Sequence, residues 1–382
     1  MAEKIKNGLF VFAFTIILLP FLQQQTKIID SGTLNGYFTS TADIPITLSK
    51  WLNGSWQANK ANFINDSIGF RPDFVRLNGQ LDYSLFGKLE GGIKLGKKGC
   101  LFFDDIVNAY YGRDFVGYDF IRERMRKLKA LQDTLAGLGK TLLMVYTPCK
   151  AWYFADCIPE VMRTPEFGPN NYKTSFRIGD SLGINQVDLN EWFLSLKSSS
   201  KELLYSGQGI HWTNYGAILG SDSIIKCIER LRHISMPHPT WTTSLHTTEP
   251  QMPDNDMTVI LNLILPYRKD TFCYPDLKFT TGDGLTKPNC IFLGDSYIVN
   301  LINTEVIRNI SADWQCWLWC KQLVNESNWQ SSVQYQMPKD YDWKKAIDST
   351  DCLILMNTPK SASLIGFSFI EQAYNYFYPG NK

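Results

Sequence analysis

Ile291-Phe292-Leu293-Gly294-Asp295-Ser296-Tyr297 is the stretch on which the fold turns. Four apolar residues from Cys290 to Leu293 run straight into Gly-Asp-Ser, and the residues after it are able to start a helix. An uninterrupted apolar run of strand length suits a strand covered on both faces. Comparable runs occur at Thr141–Tyr146, at Val187-Asp188-Leu189 and at Cys352–Met356. Between them lie helical patterns at 119–138, with Ile121, Met125, Leu128, Leu131 and Leu135 on one face, and from Thr213 to Arg232. Alternating buried strands and helices predict an α/β fold, a mainly parallel sheet with helices on both faces.

In such sheets ligands bind beyond the carboxyl ends of the strands, where Ser296 would stand. Gly294 allows a sharp turn close to a substrate. The Ser296 N–H, near a helix N-terminus, is a candidate oxyanion donor. Asp295 reads as loop support beside it. The competing reading is a Ser/Asp helix cap after a strand.

A nucleophilic serine needs a base, and the chain has four histidines. His233, His238 and His246 lie in Pro- or Thr-rich stretches and read as ordinary loop residues. His211 follows the glycine-rich Ser206-Gly207-Gln208-Gly209-Ile210 and precedes Thr213, a candidate N-cap. It is the candidate general base.

The wider composition bounds the function. The 382 residues are 44% hydrophobic, enough for a sizeable core, and the net charge of +1 argues against a nucleic-acid binder working by bulk charge. Lys4 and Lys6 precede a fifteen-residue apolar run from Gly8 to Leu22, followed by Gln23-Gln24-Gln25-Thr26-Lys27 rather than a small-residue cleavage pattern. This favours a membrane anchor over 1–26 with a cytoplasmic N-terminus, a cleaved signal peptide being the alternative. Either exports the rest of the chain. Nine cysteines leave disulfide connectivity open, and Cys316-x3-Cys320 lacks partners for a metal site. Residues 27–86 read as a stalk and helical lead-in, with a helix after Pro72 carrying Phe74, Leu77, Leu81 and Leu85. Residues 87–382 read as the main domain, with an irregular Pro-rich insertion at 235–285.

Several blocks, in order over about residues 60–360, resemble the alginate O-acetyltransferase family. They are Gly69-Phe70-Arg71, Gly96-Lys97-Lys98-Gly99-Cys100-Leu101-Phe102, Pro148-Cys149-Lys150, His211-Trp212 followed by Gly216-Ala217, and Gly294-Asp295-Ser296-Tyr297. Cys100 stands where Trp is usual. The resemblance implies an SGNH-hydrolase-like fold with Ser296 as nucleophile and His211 as base. It implies a polysaccharide acceptor and a multi-span membrane O-acyltransferase as acyl donor, and no nucleic acid. Lys150, Trp212 and Tyr297 are the candidate substrate-binding residues. No cofactor and no metal are expected.

One departure is central. The family's triad Asp stands two residues before the His, and this chain has Gly209 there. Loss of such a group elsewhere costs on the order of 10⁴ in rate. Three functions therefore stand. The first is an extracytoplasmic O-acetyltransferase, with another carboxylate or a carbonyl orienting His211. The second is a carbohydrate-binding or scaffold protein that has lost catalysis. The third is an acetylesterase, if water replaces the sugar hydroxyl.

Overall fold

The computed structural model describes residues 2–36, 40–267, 270–331, 336–339 and 341–380. The chain divides into two compact units. The first comprises Met1–Gly91 with Thr258–Tyr267, and the second Gly92–Met257 with Arg268–Lys382.

The first unit is helical. Helix α1 (Ala2–Thr26), 25 residues long, contains the fifteen-residue apolar run, and its span Glu3–Thr26 is long and apolar enough to cross a membrane. Residues 27–86 were expected to be a stalk and a helical lead-in. From residue 48 the stretch is helical, as α2 (Leu48–Leu52), α3 (Ser55–Ser67) and α4 (Arg71–Phe86), the last at the place expected for a helix after Pro72. Thr47 caps α2 by accepting from the Lys50 N–H, and Pro72 stands in the first turn of α4, where a missing N–H costs nothing. The apolar residues Phe74, Leu77, Leu81 and Leu85 of α4 remain exposed.

The second unit begins with β1 (Lys94–Leu95) and β2 (Leu101–Phe102), an antiparallel pair. Next come α5 (Asp104–Tyr111), α6 (Tyr118–Gly137), β3 (Thr141–Tyr146), α7 (Lys150–Tyr153), α8 (Asn171–Leu182), β4 (Gln186–Asp188), α9 (Leu189–Leu196) and α10 (Asn214–Arg232). The Pro-rich stretch expected to be irregular holds β5 (Pro239–Thr240), β6 (Ser244–Thr247), α11 (Asp256–Val259), β7 (Phe272–Pro275) and β8 (Lys278–Phe279). There β5 pairs with β8 and β6 with β7, both antiparallel. The chain then runs through β9 (Cys290–Gly294), α12 (Ile298–Asn303), α13 (Val306–Ile310), β10 (Trp314–Leu318), β11 (Gln322–Asn325), α14 (Trp343–Asp348), β12 (Cys352–Asn357) and α15 (Phe369–Phe377).

Six strands form the central sheet in the order β11-β10-β9-β12-β3-β4. All neighbours are parallel except the edge strand β11. The continuous apolar runs now have a physical reason. Successive strand side chains point to opposite faces. Leu142, Met144, Ile291, Leu293, Leu353 and Leu355 enter one core with α5, α6, α8 and α15. Leu143, Val145, Phe292, Ile354 and Met356 enter the other with α10, α12 and α13. A strand between two cores has no polar face to offer. This is the SGNH-like α/β architecture with a mainly parallel sheet.

Register sets where the site forms. Gly294 lies opposite Met356, and Asn357 opposite Tyr146, so β9, β12 and β3 end level with one another. The loops after them open side by side.

Candidate active site

Ser296 stands two residues beyond β9. The turn there needs glycine at 294, because a Cβ at that position would sit 2.3 Å from the Met356 carbonyl oxygen. Asp295 is buried and does not reach His211. Its carboxylate accepts hydrogen bonds from the Thr358 hydroxyl at 2.7 Å and the Ser361 hydroxyl at 2.7 Å, and from the Tyr297 N–H at 3.1 Å. It therefore ties the serine loop to the residues after β12. No hydrogen bond engages the Ser296 N–H among the described residues.

His211 reaches the same place from the loop before α10. Thr213 caps that helix by accepting from the Gly216 N–H at 3.0 Å. The Thr213 N–H donates to the Leu204 carbonyl at 3.0 Å, folding the loop back on itself. The His211 side chain is 9% exposed. Its Nε2 lies 2.7 Å from Ser296 Oγ, and its Nδ1 lies 2.6 Å from Asp256 Oδ2. With Nδ1–H donating to the carboxylate, Nε2 is left as an acceptor for the serine hydroxyl. Ser296 itself is partly exposed, so the hydroxyl is reachable from solvent.

Asp256 did not stand out in the sequence. It lies in Pro253-Asp254-Asn255-Asp256, inside the Pro-rich stretch, 45 residues after His211. Its second oxygen, Oδ1, accepts the Ile210 N–H at 2.8 Å, so the carboxylate grips both the ring and the backbone beside it. The glycine at 209 follows from this arrangement. A Cβ there would lie 2.6 Å from the Asp254 carbonyl oxygen and 3.0 Å from its carbon. The segment that delivers Asp256 occupies the space a side chain at 209 would need. The only sequence signal was two carboxylates in one short run, and nothing in the local pattern aimed them at His211.

The three residues expected to contact sugar lie elsewhere. Lys150, Trp212 and Tyr297 are at most 1% exposed. The Lys150 ammonium donates to the Gly207 carbonyl at 2.9 Å and the Gly209 carbonyl at 2.5 Å. The Trp212 ring N–H donates to the Tyr297 carbonyl at 3.2 Å. The hydroxyls of Tyr297 and Tyr205 both donate to the Ile210 carbonyl. All three brace the histidine loop from inside, and their assignment to a sugar surface is corrected accordingly. Aromatic and cationic residues next to a catalytic motif serve the loop's backbone as readily as a ligand, since buried carbonyls must also be satisfied. Replacing Lys150 by methionine leaves two buried carbonyls without their charged donor. The expected cost is about 3 kcal/mol in unfolding free energy, measured by denaturant titration.

Asp254, two residues from Asp256, is 1% exposed. Its Oδ1 accepts the Asn214 N–H at 2.8 Å. Burial pushes its carboxyl up to about 7, and the Asp256 charge adds to this. The Asn214 N–H and the Tyr274 hydroxyl act in the opposite sense. Between about pH 4 and pH 7 the folded chain therefore holds a proton that the unfolded chain has released. Stability falls as pH rises through that window, by up to about 4 kcal/mol. Asp254→Asn removes this component. Unfolding midpoints at pH 5 and pH 8 should converge in the variant relative to the unsubstituted protein; an unchanged difference between the two pH values would refute this role for Asp254.

Residues 93–269 match the family model described as the SGNH hydrolase-like domain of acetyltransferase AlgX. That stretch is similar to the AlgX domain over a little under half of the chain. The matched stretch contains Lys150, Gly209, His211 and Asp256, and Ser296 follows beyond its end. Among solved structures, this chain is similar to the O-acetyltransferase domain of Pseudomonas putida AlgJ at 14% identity. The match covers 75% of this chain and 99% of that one, with a TM-score of 0.48. It is similar to Bacillus cereus PatB1 at 13% identity, over 66% and 93% of the two chains, with a TM-score of 0.43. It is also similar to Pseudomonas aeruginosa AlgX at 14% identity, over 73% and 67%, with a TM-score of 0.43. No curated protein matches the sequence.

Proposed function

We propose that this chain is a membrane-anchored, extracytoplasmic O-acetyltransferase that esterifies hydroxyl groups of a polysaccharide. The observation that carries the reading is the continuous relay from Ser296 Oγ to His211 Nε2, 2.7 Å, and from His211 Nδ1 to Asp256 Oδ2, 2.6 Å. Helix α1 supports the anchor and the match to the AlgX model supports the reaction class.

In the first half-reaction Ser296 Oγ attacks the acetyl carbonyl of the donor while its proton passes to His211 Nε2. The Ser296 N–H is placed to stabilise the oxyanion. The donor's leaving oxygen takes the proton from Nε2, and acetyl-Ser296 remains. In the second half a sugar hydroxyl gives its proton to Nε2 and attacks the ester. Ser296 Oγ leaves and recovers the proton. Asp256 steadies the imidazolium that exists between the transfers and holds the ring in the tautomer that accepts at Nε2. The donor in this reading is a multi-span membrane O-acyltransferase that presents acetyl groups at the outer surface.

Asp256 favours this reading over a scaffold that has lost catalysis. Gly209 removes the carboxylate expected two residues before the histidine, and Asp256 occupies the role from another segment. The test is labelling by a serine-directed acyl-enzyme probe, followed by mass spectrometry of the modified peptide. A single adduct on Ser296, lost in Ser296→Ala, is the expected result. An unmodified Ser296, with polysaccharide acetylation intact in the Ala variant, would overturn the reading.

A further inference from the structure

A second cluster lies in the same unit, away from the Ser296 relay. Strands β6 and β7 pair antiparallel, with His246 directly opposite Cys273. Glu202, from the segment between α9 and α10, approaches both. One oxygen of its carboxylate lies 3.0 Å from His246 Nε2. The three donor atoms, a carboxylate oxygen, an imidazole nitrogen and a thiol sulfur, all lie within 4.8 Å of one another. Cys273 is 4% exposed, whereas the His246 side chain is about half exposed, so the cluster has a closed floor and an open rim.

We propose that Glu202, His246 and Cys273 form a zinc site. Tetrahedral zinc sits about 2.3 Å from sulfur and about 2.0–2.2 Å from nitrogen and oxygen, which puts its ligand atoms roughly 3.3–3.7 Å apart. The three donors reach that spacing by small side-chain adjustments. A thiolate with imidazole and carboxylate is a borderline-soft set that suits Zn²⁺ and disfavours Mg²⁺ and Ca²⁺, which need all-oxygen shells. Three protein ligands leave the fourth position to water, admitted at the His246 rim. On binding, the Cys273 thiol gives up its proton to solvent and the metal takes the thiolate.

The placement gives the metal a structural task. The β6–β7 hairpin closes the base of the excursion that carries Asp256. Glu202 immediately precedes Leu203 and Leu204, whose carbonyls accept from the Thr213 hydroxyl and N–H. Zinc would pin the segment that brings the carboxylate to the segment that brings the imidazole. This task rests on the acyl-transfer reading, whereas zinc binding itself does not.

The full chain in detergent, stripped with a chelator and re-equilibrated with ZnCl₂, should retain about one zinc per chain by elemental mass spectrometry. His246→Ala, a change at a half-exposed surface position, and Cys273→Ser should each lose it, and Ser296→Ala should keep it. With Co²⁺ in place of zinc, a thiolate-to-metal charge-transfer band should appear and vanish in Cys273→Ser. Zinc retention no greater than in His246→Ala, or a cobalt spectrum without the thiolate band, would overturn the proposal. Because Ser296→Ala retains the metal under this proposal, a failed zinc result and a failed acyl-transfer result are separable.

Discussion

Ser296→Ala is expected to lower the proposed acetyl transfer by on the order of 10⁴–10⁶-fold and to remove the acyl-enzyme, with the fold intact. The magnitude follows from what the hydroxyl does. In the proposed mechanism it is the atom that bonds to the acetyl carbon, and without it only transition-state contacts and binding remain. His211→Ala should cost about as much, because an undeprotonated serine is a weak nucleophile. The double variant should be no worse than either single one, since the two side chains act as a unit across 2.7 Å. Single-turnover transfer of a labelled acetyl group from a small ester donor to an oligosaccharide reads all three. Circular dichroism and the unfolding midpoint confirm that the variants fold. The bond between Ser296 Oγ and His211 Nε2 lies at the rim of the core, so its loss should move stability by only about 1 kcal/mol. Transfer by Ser296→Ala within tenfold of the unsubstituted rate would end the covalent mechanism.

Asp256→Asn is expected to lower the same rate by about 10⁴-fold. The substitution keeps an oxygen for the Ile210 N–H, so the loop stays in place. At the other position, however, an amide N–H₂ faces His211 Nδ1 where a carboxylate oxygen accepted. The ring is then held with Nδ1 as acceptor and the proton on Nε2, and it is unable to take the proton of Ser296. The defect should fall on kcat rather than on KM, because ring orientation is a transition-state matter. Adding Gly209→Asp, which recreates the spacing seen in the family, should not rescue the variant. The new Cβ would collide with the Asp254 backbone at 2.6 Å, an overpacking cost of about 1–3 kcal/mol, and it would displace the segment that carries residue 256. Rescue by Gly209→Asp would show that the imidazole can be oriented from the loop itself. Near-normal transfer by Asp256→Asn alone would show that Asp256 is not the orienting group.

The parts of the site that were legible in the sequence share a property. Each is announced by its own neighbours. Ser296 follows a buried strand through a glycine, and Thr141–Tyr146 and Cys352–Met356 show by their unbroken apolarity that they lie between two layers of helices. His211 precedes a helix cap, Thr213. Lys150, Trp212 and Tyr297 were legible as members of the site but not in their roles. A side chain's identity does not say whether it points at a ligand or at the carbonyls behind the loop. The helices Leu48–Leu52 and Ser55–Ser67 and the strand pairs of 235–285 were not read out, because short elements in Pro- and Thr-rich text carry little periodicity.

The chain's own text determined the α/β class with a mainly parallel sheet and the apolar N-terminal run, and it marked Ser296 and His211 each as a candidate within its own neighbourhood. These are local matters of period, burial and turn chemistry. The tertiary structure alone decided that Asp256 completes the relay, that Gly209 is empty to let it in, and that Glu202, His246 and Cys273 converge. Those contacts join residues 27 to 71 positions apart through an excursion whose course is set by packing. No run of neighbouring residues encodes where such an excursion returns.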